Sequence, residues 1–193
     1  MSYGYYNQYA DKFVKDTINV DMTKHYQPFF SKLKLGDKIL DAGCGSGRDT
    51  ANFIDLGYSV DAFDASKEMV AAASKLTGLP VLEMTFENLI LSEQYNGIWA
   101  CASLLHVKRS NLVGVLKALG VLLLKKGVIY ASFKHGQEER QKGDRYFNDM
   151  NEQLIKTHIG LVKNLKLSEI WISADERADR PTETWLNCII TKV

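Results

Sequence analysis

Residues 39–49 read Ile-Leu-Asp-Ala-Gly-Cys-Gly-Ser-Gly-Arg-Asp, an acid followed by three alternating glycines. Glycine lacks a Cβ, so Gly43, Gly45 and Gly47 let the backbone approach a ligand closely and turn through positive φ. A helix starting just beyond them presents unpaired N–H groups to an anion. A plain strand-to-helix turn uses one or two glycines; three after an acid exceed that need. The spacing is G-x-G-x-G, whereas a dinucleotide fingerprint would place its third glycine at Arg48. A pyrophosphate wants backbone donors with no carboxylate beside it. A ligand carrying an ammonium and a carboxylate can use Asp41, so the pattern points away from NAD and FAD. Asp64 is the second signal, seventeen residues past Gly47 at the end of the next predicted strand. A carboxylate there can accept both hydroxyls of a ribose and rejects a 2′-phosphate.

The elements that position these residues follow from the apolar pattern. Residues 1–35 read as helical and aromatic-rich, interrupted at Pro28. Strands are predicted at Lys38–Asp41, Tyr58–Asp64, Val81–Met84, Ile98–Ala102 and Val128–Phe133, the last rich in β-branched and aromatic residues. Helices fall between them: Arg48 to Leu56 capped by Gly57, a helix capped near Ser66 that runs to Leu76, and one from Ser110 to the Lys125-Lys126-Gly127 break. Lys134–Arg145 reads as a charged loop, and Asn151–His158 as a helix stopped at Gly160. Two late strands, Leu165–Ile172 and Trp185–Lys192, flank a loop over Ser173–Glu183. That loop is too short for a parallel crossover, so an antiparallel pair is expected. Strands alternating with helices predict a doubly wound, mostly parallel α/β sheet.

Composition bounds the partners. The chain has 193 residues with 24 Lys plus Arg against 23 Asp plus Glu, a formal net charge of +1. This length favours one domain, and near-neutrality removes the broad basic surface that non-specific nucleic-acid binding needs. Cys44, Cys101 and Cys188 are widely spaced and form no CxxC pair, which argues against a zinc site or a disulfide framework. The N-terminus has no signal-peptide pattern and no apolar run reaches membrane-span length, so a cytoplasmic protein with no membrane partner is expected.

The runs ILDAGCGSG and VDAFDAS together resemble motif I and the following acidic motif of the class I S-adenosylmethionine-dependent methyltransferases. The resemblance extends from about Asp37 to the C-terminus and is most specific over residues 39–66. WACASLLHV (99–107), SFKHG (132–136) and RYFND (145–149) are similar to a subgroup of small bacterial enzymes that includes the tellurite-resistance type. The resemblance implies a three-layer sandwich around a seven-stranded sheet with a reversed C-terminal strand. It divides the chain into a helical cap (1–36) and a catalytic core (37–193) of a single domain. It implies S-adenosyl-L-methionine as cofactor, with Asp41 and the backbone at Gly43, Cys44 and Gly45 on its methionine part and Asp64 on its ribose. Ala65, Met84 and Phe86 would flank adenine; Cys101 or Ala102, and Leu105, would line the cofactor near its sulfonium. Two departures stand out. Thr85 occupies the place where many relatives carry an acid for the adenine amino group, which passes that role to Glu87 or a backbone carbonyl. Lys125-Lys126-Gly127 replaces a frequent Lys-Pro-Gly turn.

Methyl transfer needs alignment and a dry pocket more than a catalytic triad, because the cofactor carries the activated group. His106 follows the fourth strand and is the candidate general base. Tyr9, with Tyr5 and Tyr6, is the aromatic candidate for closing over the site. Lys134, His135, Arg140 and Arg145 are candidates for holding an anionic substrate. The expected acceptor is a small molecule and not a nucleic acid. Two rivals use the same sheet: an NAD-dependent oxidoreductase, and an inactive cofactor-binding regulator.

Overall fold

In the computed structural model, residues 2–177, 179–180 and 182–193 are described; Pro181 of the predicted late loop lies outside them. Three short helices lead the chain: α1 (Tyr3–Gln8), α2 (Ala10–Thr17) and α3 (Thr23–Phe30). The breaks fall at Tyr9 and around residues 18–22, and Pro28 sits inside α3. The predicted interruption at Pro28 is therefore corrected: the helix ends two residues later.

The alternating region follows as β1 (Lys38–Ala42), α4 (Arg48–Asp55), β2 (Ser59–Asp64), α5 (Lys67–Thr77), β3 (Leu82–Glu83) and β4 (Tyr95–Ala100). Ser66 caps α5 by accepting from Met69 N–H, and Gly78 ends it at φ 73°. Helix α6 (Arg109–Leu122) runs directly into β5 (Leu123–Lys134). The predicted strand began at Val128. It starts earlier because Leu123 is fully buried opposite Tyr95, and Lys126 at φ 66° absorbs the irregularity.

The charged loop expected over Lys134–Arg145 is also corrected. It holds β6 (Glu139–Lys142), which pairs only with β7 (Arg145–Asn148) in an antiparallel hairpin turned at Gly143, φ 58°. Helix α7 (Glu152–Gly160) is capped by the Asn151 side chain and includes Gly160. Strands β8 (Leu165–Ala174) and β9 (Thr184–Lys192) close the chain.

The main sheet has seven strands in the order β3-β2-β1-β4-β5-β9-β8. Strands β1 to β5 are parallel, and β9 runs antiparallel to both β5 and β8. Successive strand residues face opposite sides, and both sides are packed. Leu40, Ile98, Ala100, Ile129 and Ala131 join α6 and α7 through Leu112, Leu116, Leu119, Ile155 and Ile159. Their neighbours Ile39, Trp99, Val128 and Tyr130 join α3 and α4 through Tyr26, Phe29 and Phe53. This is a three-layer α/β sandwich of the Rossmann-like methyltransferase type, with the reversed final strand. The parallel strands β1, β2 and β4 all deliver their C-terminal ends to one edge, where open α/β sheets bind ligands. Among the described residues no helix is long and apolar enough to cross a membrane.

Candidate active site

The turn after β1 is built from positions where side chains do not fit. Gly43, Gly45 and Gly47 have φ of 80°, 55° and 81°. A Cβ on Gly43 would lie 2.5 Å from Ser103 Cβ, and one on Gly47 would lie 2.9 Å from Ala73 Cα. Gly45 differs: its nearest neighbour in that direction is the Phe13 ring edge at 3.4 Å. So Gly43 and Gly47 are required by packing, and Gly45 keeps the turn low beneath an aromatic side chain from α2. The N–H groups of Gly43 and Cys44 donate to Phe63 O, and that of Gly45 donates to Asp64 Oδ2. The turn thus offers a ligand a close backbone approach, with these three amides already used.

Three acids surround the turn in different electrostatic states. Asp49 is buried and accepts from both Arg48 Nε and a terminal guanidinium nitrogen (2.7 and 3.0 Å), from Tyr26 OH (2.7 Å) and from Trp99 Nε1 (2.8 Å). Burial alone would raise its pKa, yet the Arg48 charge and these donors hold it below the ordinary value. Asp41, 2% exposed, has Thr50 Oγ1 as its donor at 2.5 Å. Burial, helped by the nearby Asp49 charge, pushes its pKa up to about 8. Asp64 accepts from Gly45 N–H (2.9 Å) and Ser66 N–H (2.8 Å), but burial still raises its pKa.

One cleft of about 1190 Å³ opens above these acids. Asp41, Gly43, Cys44, Gly45, Asp64, Ala65, Met84, Phe86, Glu87, Cys101, Ala102, Leu105 and His106 all line it. Phe86 opens a single 3₁₀ turn (Phe86–Asn88) and meets Phe63 edge-on at 5.3 Å. Ala102 follows β4 at φ 51°, a conformation rare for a residue with a side chain, and its N–H donates to Ser132 Oγ at 2.8 Å.

Tyr9 is the exception. It does not line the cleft: 43% exposed, it packs on Tyr5 with ring centroids 4.8 Å apart. The reason is the break between α1 and α2 at Tyr9 itself, which turns that side chain outward. Tyr6 takes the inward place. Its ring packs on Phe13 at 5.0 Å, and its hydroxyl meets His106 Nε2 at 2.7 Å. The partner of His106 Nδ1 is Tyr146 O, 2.7 Å away. A carbonyl only accepts, so Nδ1 carries the proton and Nε2 accepts from Tyr6. Burial pushes the His106 pKa down to about 4, and the Arg145 charge adds to this against the Tyr146 carbonyl. His106 is therefore neutral at pH 7, with its free nitrogen covered by Tyr6. Burial raises the Tyr6 pKa, and Arg145 pulls it partly back.

Sequence reasoning placed His106 but not its partner. Tyr6 and Phe13 lie on different helices on either side of the break at Tyr9, so no helical spacing marks their contact. Of the basic candidates, Lys134, Arg140 and Arg145 line the cleft and His135 does not.

Residues 39–127 match a family model described as a methyltransferase domain. Over this segment, a little under half of the chain, the sequence is similar to a methyltransferase domain. Similar folds occur in 1,6-didemethyltoxoflavin-N1-methyltransferase from Burkholderia thailandensis (18% identity, TM-score 0.77, covering 98% of this chain and 84% of that one), crystallised with 1,6-didemethyltoxoflavin and S-adenosylhomocysteine. The N-methyltransferase NodS from Bradyrhizobium japonicum, in complex with S-adenosylhomocysteine, is 15% identical (TM-score 0.76, covering 96% and 97%). A TehB-like S-adenosylmethionine-dependent methyltransferase from Corynebacterium glutamicum is 16% identical (TM-score 0.73, covering 98% and 99%). A search of curated proteins found no sequence match.

A methyltransferase domain takes its methyl group from S-adenosylmethionine, and the residues present fit that cofactor. The glycine turn brings backbone to the floor of the cleft, and two carboxyls, the buried Asp41 and the half-buried Asp64, face the same space. When bound, the cofactor supplies an electrophilic methyl group and is left as S-adenosylhomocysteine. The cleft offers such a cofactor two carboxyls and aromatic side chains along its walls.

Proposed function

We propose that this methyltransferase acts on a small-molecule acceptor held between the glycine cradle and the Tyr6–His106 pair. One observation carries this reading: a single cleft joins the cradle to that pair, and at about 1190 Å³ it exceeds one small-ligand pocket of roughly 300–1,000 Å³. It has room for a cofactor and a small second molecule. Asp41, Gly43, Cys44 and Gly45 hold the methionine part, Asp64 the ribose, and Ala65, Met84, Phe86 and Glu87 the adenine. Cys101, Ala102 and Leu105 flank the reacting end.

Tyr6 faces the acceptor, and His106 behind it takes a proton through the Tyr6 hydroxyl. Alignment of acceptor and methyl accounts for about 7–11 kcal/mol of such a barrier. Residues 1–36 act as a cap on the core, 37–193, of a single domain. We place the protein in the cytoplasm, where its three unpaired cysteines stay reduced. The similarity of residues 99–107 to tellurite-resistance-type enzymes puts tellurite on the acceptor panel.

Calorimetric titration with S-adenosylmethionine and S-adenosylhomocysteine tests the reading, followed by an acceptor screen that detects S-adenosylhomocysteine release. Binding of both and turnover with a small acceptor are expected. No binding of either at millimolar concentration would sink it.

A further inference from the structure

Five arginines line the cleft, and four have carboxylate partners. Arg48 pairs with Asp49, Arg140 with Asp149, Arg177 with Asp175, and Arg180 with Asp179 and Glu183. Lys134 is likewise held by Asp175 and Glu183. Among the described residues Arg145 has no ion pair, and its buried Nε has no hydrogen-bond partner. Lys108 and Lys142 are also unpaired but exposed on the rim, and Asp144 next to Arg145 is exposed and engages no cation. A buried donor without an acceptor costs about 1–3 kcal/mol and more on a charged group, so its retention in a cleft wants a reason.

The surroundings of Arg145 are mostly aromatic, with the Tyr6 hydroxyl as the oxygen near its guanidinium. Its guanidinium carbon lies 4.1 Å from the Tyr5 ring centroid and 5.2 Å from that of Phe147. Stacking fixes the plane and leaves the donor edge for a ligand. The strand that carries it is braced. Arg109 donates to Asn148 Oδ1 (2.8 Å), Asp149 O (2.8 Å) and Gln137 O (3.1 Å), and Arg140 holds Asp149 at 2.5 Å. Arg145 is thus a rigid, unneutralised fork beside the Tyr6–His106 pair.

We propose that Arg145 is the anion-recognition residue of the acceptor site, and that the acceptor is a small carboxylate with a hydroxyl or amine as its methylated group. This rests on the methyltransferase reading above. A guanidinium edge matches the two oxygens of a carboxylate, and a carboxylate so held is a poor nucleophile, which leaves methylation to another atom facing Tyr6. Phe13, Tyr146 and Phe147 line the same space and suit a flat ring.

The test uses the full chain saturated with S-adenosylhomocysteine; failure of that first binding step would count against the methyltransferase reading instead. Salicylate and anthranilate are then titrated calorimetrically against salicylamide and anthranilamide. At least one acid is expected to bind about tenfold or more tighter than its amide. Arg145→Gln, checked for an unchanged melting point, is expected to abolish that preference while S-adenosylhomocysteine affinity stays within about twofold. Arg145→Lys, which keeps charge without the fork, is expected to retain part of it. Equal binding of acid and amide, no binding of either acid, a preference that survives Arg145→Gln, or binding of tellurite where the acids fail would each overturn the proposal.

Discussion

The Tyr6 hydroxyl donates to His106 Nε2 across 2.7 Å, joining residues one hundred positions apart. The helical N-terminus therefore contributes a side chain to the cleft wall. Tyr6→Phe removes the one partner of Nε2 among the described residues and, on the proposed reading, a proton path with it. Turnover is expected to fall about 100-fold, in the range of general acid–base contributions, with S-adenosylhomocysteine affinity unchanged. The pH profile separates this from a packing role: a variant that keeps the wild-type rate and profile would return Tyr6 to a structural part.

His106 also predicts a pH dependence of stability. Its folded pKa of about 4 lies below the ordinary 6.5, so between these values the unfolded chain binds more protons. The contribution is complete above pH 6.5 and is lost as pH falls to about 4, amounting to about 3 kcal/mol. Urea denaturation of wild type and His106→Gln at pH 7 and pH 4.5 measures it. The wild type should lose more stability than the variant over this interval; parallel losses would contradict the buried neutral histidine.

Asp41 predicts a proton released on cofactor binding. Its carboxyl, raised to about 8, is largely protonated at pH 7, and an ammonium placed beside it favours the ionised form. The observed calorimetric enthalpy at pH 7 should therefore differ between phosphate and Tris buffers, and affinity should rise with pH up to about 8. Identical enthalpies in both buffers would mean that Asp41 does not meet the ammonium.

Asp64 holds the glycine turn and is also the proposed ribose ligand. Asp64→Ala would orphan the N–H groups of Gly45 and Ser66, so it costs stability as well as binding. Asp64→Asn keeps one of the two acceptor oxygens and turns its amide nitrogen toward the other N–H, so it costs less stability than Asp64→Ala. It is expected to weaken S-adenosylhomocysteine by about tenfold while melting within a few degrees of wild type. An unchanged dissociation constant would show that the ribose is held elsewhere.

Gly43→Ala tests the cradle as packing. The new Cβ would meet Ser103 Cβ at 2.5 Å and sit at φ 80°. Left-handed backbone costs about 1–3 kcal/mol before the clash is counted. A clear drop in melting temperature is expected, with partial recovery in Gly43→Ala/Ser103→Gly. No drop would place the turn differently from the structure.

The alternation of β1 to β5 with helices was legible because these strands are buried on both faces and read as apolar runs. The hairpin β6–β7 was not. Its run Glu139-Arg-Gln-Lys142 is charged and exposed, and it pairs only within itself, so no core pattern marks it. The cradle was legible for the same local reason: Asp41 through Ala65 is one continuous stretch. Tyr6, His106 and Arg145 meet from three separate elements, and only the folded topology brings them together. Tyr9, expected with Tyr5 and Tyr6 to close over the site, points outward because the chain bends at that residue, and no spacing in the sequence marks the bend.

The β6–β7 hairpin forms no ladder with the seven-stranded sheet, yet it carries Arg145 and gives His106 its Tyr146 carbonyl. On the proposed reading, acceptor choice rests on a hairpin of about a dozen residues outside the sheet, anchored to the core by Phe147 and to α6 by Arg109. Exchanging the outward residues 139–145 while Phe147, Asn148 and Asp149 are kept should change specificity and spare the core, which makes this hairpin the natural place to engineer it.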